Sequence, residues 1–191
     1  MEFFDSIAAS MGLTEATKWC ILAERFQLTN FKDSQSKIID ATLHNRDTLV
    51  VQPTGSGKSL CFQFPAVYSK KQTAVITPTI SLMQDQTCEL TQKGISAVYL
   101  GSAQVDPHAE DKVFQEHSDV SVFFVSPEWL FGGDGKNLTK VQNLCQKNRL
   151  GLIAIDEAHL MYDWQDFRDT SNVMTFTGYS LGSLSWLFLQ H

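Results

Sequence analysis

Short apolar runs alternate with longer helix-like segments along most of the 191-residue chain, and this alternation limits the fold more than any other feature of the sequence. The runs lie at residues 48–51, 73–77, 97–100, 120–125 and 152–155. Alternating strands and helices build a parallel sheet, because a parallel connection needs a long crossover. Apolar runs of this kind indicate strands that are buried on both faces. We therefore predict an α/β fold in which helices cover both faces of a parallel sheet.

Two segments before the first strand have a helix-favouring composition. They cover residues 14–26 and 34–45, and Asp33 or Ser34 is the expected N-cap of the second. Short N-terminal helices are therefore predicted to precede the sheet.

The composition excludes several classes of protein. With 43% hydrophobic and 19% charged residues, the chain is neither disordered nor collagen-like. Its net charge of -6 argues against binding nucleic acid through bulk positive charge. The charge is uneven, because residues 32–101 hold 7 basic and 5 acidic side chains (+2), whereas residues 102–191 hold 6 and 12 (-6). A local basic surface therefore stays compatible with the sequence.

Sequence signals for membranes, secretion and zinc are missing. No apolar run reaches 18 residues, and acids stand at the N-terminus where a signal peptide carries basic residues. The four cysteines are widely spaced without a C-x-x-C pair, so we expect no zinc site and a reducing compartment. These features predict a soluble intracellular protein without a membrane partner.

A glycine loop with a lysine directly follows the first predicted strand. Residues 52–59 read Gln-Pro-Thr-Gly-Ser-Gly-Lys-Ser, and a helix-like segment follows them. Gly55 and Gly57 let the backbone turn its N–H groups towards phosphate oxygens, Lys58 can reach the β- and γ-phosphates, and the Ser59 hydroxyl can bind Mg²⁺. The alternative is an ordinary Gly/Ser turn, but the Lys-Ser pair and the flanking elements favour a phosphate-binding loop, or P-loop. Pro65 is expected to end or kink the helix that follows.

An acidic pair follows the last predicted strand. Residues 152–155 lead into Asp156 and Glu157, and ligands of open α/β sheets bind at such strand ends. Asp156 suits a Mg²⁺ ligand and Glu157 a general base that polarises the attacking water. A solvated strand end is the alternative. His159 is either a structural residue or a sensor of the γ-phosphate.

Taken together, the motifs resemble those of superfamily 2 helicases, and among them the RecQ-type DNA helicases. The similarity runs from about residue 26 to residue 168. Its motifs are an adenine-recognition segment, the P-loop, motif Ia, a later first-domain segment, the DEAH box and an aromatic-rich loop. They lie at residues 31–35, 53–63, 77–86, 125–128, 156–159 and 160–168.

The resemblance implies roles for further residues. Gln35 matches the glutamine that contacts adenine, and Lys32 replaces an arginine. Trp164 would stack on a base and Arg168 would pair with phosphate or with the box acids, although core packing is the alternative for Trp164. The implied ATP-binding residues are Lys32, Gln35, Pro53, Thr54, Gly55, Ser56, Gly57, Lys58 and Ser59. The implied catalytic residues are Lys58, Asp156 and Glu157, with Ser59 and Asp156 as Mg²⁺ ligands. The implied DNA-coupling residues are Ser81, Gln84, His159, Trp164, Phe167 and Arg168.

The C-terminal segment differs from the rest of the chain. Residues 170–191 contain no Asp, Glu, Lys or Arg and resemble nothing in the family. They are a buried terminal strand or helix, a weak membrane contact, or a sequence foreign to the original fold. Because the match stops beside this break in composition, we expect a truncated product that is incomplete at its C-terminus.

These observations predict a helical segment at residues 1–30, a P-loop RecA-like ATP-binding domain at 31–169 and an atypical tail at 170–191. The resemblance implies a 3′–5′ DNA helicase that uses ATP and Mg²⁺ on single-stranded or forked DNA, in the nucleus if the chain is eukaryotic. We expect the isolated chain to bind ATP without unwinding. The alternatives are a fragment of a DEAD/DEAH-type RNA helicase and a non-catalytic truncated isoform that acts through protein contacts.

Overall fold

A computed structural model describes residues 13–132, 134–157 and 185–190. Two helices come first, α1 (Leu13–Phe26) and α2 (Asp33–Leu43). The helices that follow are α3 (Leu60–Ser69), α4 (Ile80–Gln92), α5 (Ala109–Phe114), α6 (Pro127–Phe131) and α7 (Lys136–Gln146). The strands are β1 (Thr48–Val51), β2 (Gln72–Ile76), β3 (Ala97–Leu100), β4 (Val122–Val125), β5 (Leu150–Ile155) and β6 (Ser185–Gln190).

The six described strands form one parallel sheet in the order β1-β6-β5-β2-β4-β3. One face packs against α1 to α4, with Leu22, Ile39, Phe62 and Met83 fully buried or nearly so. The other face packs against α5, α6 and α7 in a second buried cluster. The prediction of a parallel sheet covered on both faces is therefore confirmed. The predicted strand bounds agree with the structure to within two residues.

The start of α2 differs from the prediction. The N-cap is Lys32 rather than Asp33 or Ser34. Instead of a capping Asp or Ser, the side chain of Gln35 caps this end: its Oε1 accepts the Lys32 backbone N–H at 2.9 Å. A glutamine at the third helical position satisfies the N-cap amide in this way, so the cap residue predicted from side-chain type was wrong.

Helix α3 runs through Pro65 and ends at Ser69, so it does not end at the proline, whereas the kink that the sequence gives as the alternative stays a prediction. Proline removes one backbone N–H donor, but all residues from Leu60 to Ala66 are buried. Burial of the whole segment offsets the lost hydrogen bond, because tertiary packing supplies most of the stability of a short helix.

The uncharged C-terminal segment contributes a strand to the interior of the sheet. Ser185–Gln190 lies between β1 and β5 and pairs in parallel with both. Trp186, Leu187 and Leu189 are buried. The described part of the predicted tail therefore lies in the same sheet as the predicted domain.

Candidate nucleotide-binding site

The P-loop and the acidic pair lie at the carboxyl edge of the parallel sheet. Residues 52–59 leave the end of β1 and lead into α3, while Asp156 and Glu157 follow the end of β5. The backbone N–H of Asp156 donates to the carbonyl of Ile76 in β2 at 2.9 Å, which extends the sheet pairing by one residue. Carboxyl ends of strands are where such sheets bind ligands, so the fold itself brings the two motifs to one edge.

The loop backbone takes up the conformation that the sequence predicts. Gly55 and Gly57 have φ values of +76° and +87°, a region that L-residues with side chains rarely enter. Gly57 is needed for a second reason: a Cβ atom there would lie 2.5 Å from Nε2 of Gln35. Gly55 is therefore required for its backbone conformation alone. Gly57 is required for its backbone conformation and because a side chain would not fit beside Gln35.

Lys58 is 7% exposed, and its ammonium group lies against the loop. Its Nζ donates to the carbonyl of Gln52 at 2.8 Å and to that of Pro53 at 3.1 Å. These bonds hold the loop closed around the lysine. A phosphate at this site would compete with two carbonyl oxygens for the ammonium group, and its negative charge favours it in that competition.

Two side chains of the α2 start tie this helix to the P-loop. Lys32 Nζ donates to the carbonyl of Ser56 at 2.9 Å, and Gln35 Nε2 donates to the carbonyl of Gly57 at 3.0 Å. Gln35 is 4% exposed. The sequence assigned both residues to nucleotide binding through the base, and the structure places both against the loop that would hold the phosphates.

The acidic pair differs in burial. Asp156 is buried and Glu157 is half-buried. The Glu157 backbone N–H donates to Oδ1 of Asp156 at 3.1 Å, and Glu157 has a φ of +56°. Left-handed backbone at a non-glycine residue is strained and is often found at functional sites.

One buried polar atom of the loop suits a phosphate ligand. Ser56 Oγ is buried and makes no hydrogen bond within the described residues. A hydroxyl donor left in this state beside an anion-binding loop is satisfied by an acceptor oxygen such as that of a phosphate. Behind the loop, burial raises the pKa of the Cys61 thiol to about 12, so this side chain carries no negative charge at neutral pH.

The remaining predicted site residues differ in exposure, and four of them lie outside the described residues. Pro53 and Thr54 are exposed in the loop, and Ser59 is half-buried just before α3. Ser81 and Gln84 are exposed near the start of α4, where Gln84 Nε2 donates to the Tyr99 hydroxyl at 3.3 Å. His159, Trp164, Phe167 and Arg168 lie outside the described residues.

Two residues at strand boundaries were assigned no role by the sequence reasoning. Thr77 follows β2 beside the end of β5, and its Oγ1 is buried without a hydrogen bond in the described part of the chain. Asp47 precedes β1, and its Oδ1 accepts the backbone N–H of Trp186 at 3.0 Å. The sequence signal for Asp47 is a carboxylate at the boundary of a predicted strand, and Thr77 is in addition the first residue of the motif Ia segment.

The model of the DEAD/DEAH box helicase family matches residues 32–178. The chain belongs to this family. This helicase domain is 38% identical to the ATP-dependent DNA helicase Q-like SIM of Arabidopsis thaliana over 149 residues, which cover 78% of the chain and 17% of the relative. It is 38% identical to the ATP-dependent DNA helicase RecQ of Pasteurella multocida over 152 residues, 78% of the chain and 23% of the relative. The mouse bifunctional 3′-5′ exonuclease/ATP-dependent helicase WRN is 40% identical over 151 residues, 78% of the chain and 10% of the relative.

Solved helicase structures share the fold. The DUF1998 helicase MrfA bound to DNA and AMPPNP superposes with a TM-score of 0.67 at 19% identity, covering 89% of the chain and 25% of MrfA. A hypothetical ATP-dependent RNA helicase from Sulfolobus tokodaii gives a TM-score of 0.56 at 21% identity, covering 91% and 50% of the two chains. This helicase domain therefore has the RecA-like fold and is an ATP-binding domain similar to those of RecQ-type DNA helicases. It spans between a tenth and a quarter of the length of the three relatives described above.

Membrane-spanning helices and clusters of metal-binding side chains are both absent from the described residues. None of the helices in the described residues is long and apolar enough to cross a membrane. Within the same residues, no group of three or more His, Cys, Asp and Glu side chains forms a metal site. A magnesium ion at a P-loop binds through one or two protein ligands and phosphate oxygens, so such a site does not depend on a protein cluster.

Proposed function

We propose that this chain is the nucleotide-binding half of a RecQ-type DNA helicase motor and that it binds ATP together with Mg²⁺. The observation that carries the proposal is the placement of a buried lysine in a P-loop and a buried aspartate at one edge of a single parallel sheet. A second supporting feature is the hydroxyl of Ser56, which lacks a hydrogen-bond partner within the described residues.

Different residues of the chain bind the phosphates, the Mg²⁺ ion and the attacking water. The N–H groups of the loop and Lys58 hold the phosphates, and Ser59 and Asp156 are the ligands that suit Mg²⁺. When bound, the ion neutralises negative charge on the phosphate oxygens. Glu157 orients a water molecule and accepts its proton as general base. Lys32 and Gln35 stabilise the loop, and by the family resemblance they also contact the adenine.

DNA is the proposed polymer substrate. Ser81 and Gln84 lie exposed at the same sheet edge as the P-loop, where hydroxyl and amide groups can bind a phosphate backbone. The names of the relatives support DNA over RNA. In a eukaryote, the same activity implies a nuclear protein. We expect the purified 191 residues to hydrolyse ATP slowly and not to unwind DNA, because cationic groups from a second domain complete the transition-state site in such motors.

The test measures ATP binding and hydrolysis by the 191-residue chain with and without single-stranded DNA. The matched variant is Glu157→Gln, which keeps the shape of the side chain and removes the base. We expect unchanged ATP·Mg²⁺ affinity and loss of the residual hydrolysis. Tighter binding of single-stranded RNA than of DNA of the same sequence would support an RNA helicase fragment instead, and absence of ATP binding would refute the proposal.

A further inference from the structure

Strand β1, which leads into the P-loop, contacts the rest of the described sheet through one neighbouring strand. Within the described residues, β1 pairs with β6 alone, and β6 separates it from β5. Two strand spacings of about 4.8 Å therefore lie between the strand that leads into the P-loop and the strand that ends at Asp156. The position of one motif relative to the other depends on the strand between them.

The register of β6 determines how far along the sheet the two motifs lie. Phe188 pairs with Leu49 on one side and with Ile155 on the other, so Leu49 and Ile155 lie at the same level. If β1 slipped by one residue against β6 while β6 stayed in register with β5, the P-loop would move by about 3.3 Å relative to Asp156. Mg²⁺ sites tolerate deviations of only about 0.2 Å from ligand distances near 2.1 Å, so a single slip would separate the ligands.

The side-chain pattern of β1 does little to prevent such a slip. Residues 49–51 are Leu-Val-Val, and they are apolar on both faces of the strand. Register is strongly specified where a strand has one apolar and one polar face, because a slip by one residue exchanges the faces. In β1 a slip exchanges apolar side chains for other apolar side chains.

A contact outside the ladder defines the register. Asp47 directly precedes β1, and its Oδ1 accepts the backbone N–H of Trp186 at 3.0 Å. The first pair of the β1–β6 ladder is Thr48 with Leu187, so Asp47 and Trp186 stand one step before it. A carboxylate acceptor at this step makes a charge-assisted bond to one particular amide of β6.

We propose that Asp47 is a positioning residue that fixes the register of β1 against Ser185–Gln190, and that this strand sets the position of the P-loop relative to Asp156. The second half rests on the proposed function, because it concerns the Mg²⁺-dependent part of ATP binding. The first half concerns the sheet alone. The uncharged C-terminal segment thereby acts as a spacer strand of the nucleotide site.

The experiment uses the full 191-residue chain and three variants. Asp47→Ala removes the acceptor, whereas Asp47→Asn keeps an oxygen acceptor at the same place. Asp134→Ala is the matched control, because Asp134 is an exposed carboxylate whose ion pair with Lys136 is exposed as well and contributes little to stability. Hydrogen exchange of the amides at residues 48–51 and 185–190 reports the sheet. The dissociation constant of ATP is measured with Mg²⁺ and with excess chelator.

For Asp47→Ala we expect amide exchange in both strands to accelerate about tenfold to a hundredfold, the range for one lost hydrogen bond to a charged group. ATP affinity should fall by a similar factor with Mg²⁺ and by less than about twofold without it, because only the bridged complex needs the correct spacing. Asp47→Asn should show a loss of about threefold to tenfold, because it keeps the acceptor and loses the charge, and Asp134→Ala should stay within about twofold of the wild type in every measurement.

Unchanged exchange in Asp47→Ala would overturn the role of Asp47. Equal losses of ATP affinity with and without Mg²⁺ would overturn the role of β6 as spacer, because a general loss of stability does not depend on the ion. If the wild-type chain binds no ATP, the proposed function fails and the spacer role fails with it. The register role is then decided by the exchange rates alone, so the two failures are distinguishable.

Discussion

The substitution Gly57→Ala tests most directly whether the P-loop requires a glycine at residue 57. Gly57 has a φ of +87°, and an added Cβ would lie 2.5 Å from Gln35 Nε2. Gln35 cannot move aside without loss, because its amide donates to Gly57 and accepts from the Lys32 N–H in a residue that is 4% exposed. The substitution therefore combines backbone strain with the loss of a buried hydrogen bond.

The expected loss in free energy of unfolding is the sum of these two costs. Left-handed backbone costs a residue with a Cβ roughly 1–2 kcal/mol. Displacing Gln35 leaves buried polar groups without partners, at about 1–3 kcal/mol. We expect Gly57→Ala to lower the free energy of unfolding by about 2–5 kcal/mol, the sum of both ranges. Gly55→Ala is the matched control, because Gly55 has a φ of +76° but no atom within 4 Å of the added Cβ; it should cost only about 1–2 kcal/mol.

Urea unfolding of both variants measures the difference, provided that the slope of the transition stays constant. The entropy that alanine removes from the unfolded chain is common to both variants and cancels. In a Gln35→Ala background, the cost of Gly57→Ala should fall to that of Gly55→Ala, since the atom that blocks the Cβ is gone. Equal costs for Gly55→Ala and Gly57→Ala in the wild-type background would refute the reasoning.

Further predictions concern the buried lysine, the loop tether and the buried thiol. Lys58→Ala should raise the dissociation constant of ATP at least about tenfold in titration calorimetry, since a charge-assisted phosphate contact is lost. The control is Lys70→Ala, which changes an exposed lysine just after α3 and should leave that constant unchanged. Lys32→Met should raise the dissociation constant of ATP by about twofold to tenfold through loss of its bond to Ser56; an unchanged constant would exclude the tether. Burial raises the Cys61 pKa to about 12 from 9.0, so the unfolded chain ionises first and Cys61 should lower the free energy of unfolding by up to about 1.4 kcal/mol per pH unit between pH 9 and pH 12. Cys61→Ala should make the alkaline slope in urea unfolding shallower without removing it, because burial also raises the pKa of Cys145 to about 11; an unaltered slope would contradict the buried thiol.

Local sequence predicted the elements that carry the chemistry. The bounds of β1 and β3 agree with prediction to the residue, because continuous apolar runs that end at polar or glycine residues leave little freedom at their ends. The P-loop was readable for the same reason: the positive φ values of Gly55 and Gly57 are a property of the residue type. The carboxyl-edge placement of Asp156 follows from the rule for parallel strands.

Contacts beyond residue-type preference decided what prediction missed. The N-cap of α2 depends on a side chain three residues along the helix, and the continuation of α3 past Pro65 accompanies the burial of Leu60 to Ala66. Lys32 and Gln35 were assigned from the family to the base, while their contacts with the loop join residues more than 20 positions apart. Propensity describes a residue and its chain neighbours, so it carries no information on such pairs.

By itself, the sequence of this protein determined its α/β class, its phosphate loop and its acidic strand end, since each depends on residue type and spacing within about ten residues. The tertiary structure alone decided where the last strand lies. Residues 185–190 show no period that assigns a face or a neighbour, yet they occupy the slot between β1 and β5. That slot is formed by strands about 30 and 140 residues earlier in the chain, and burial of Leu187 and Leu189 in it stabilises a strand only once the slot exists.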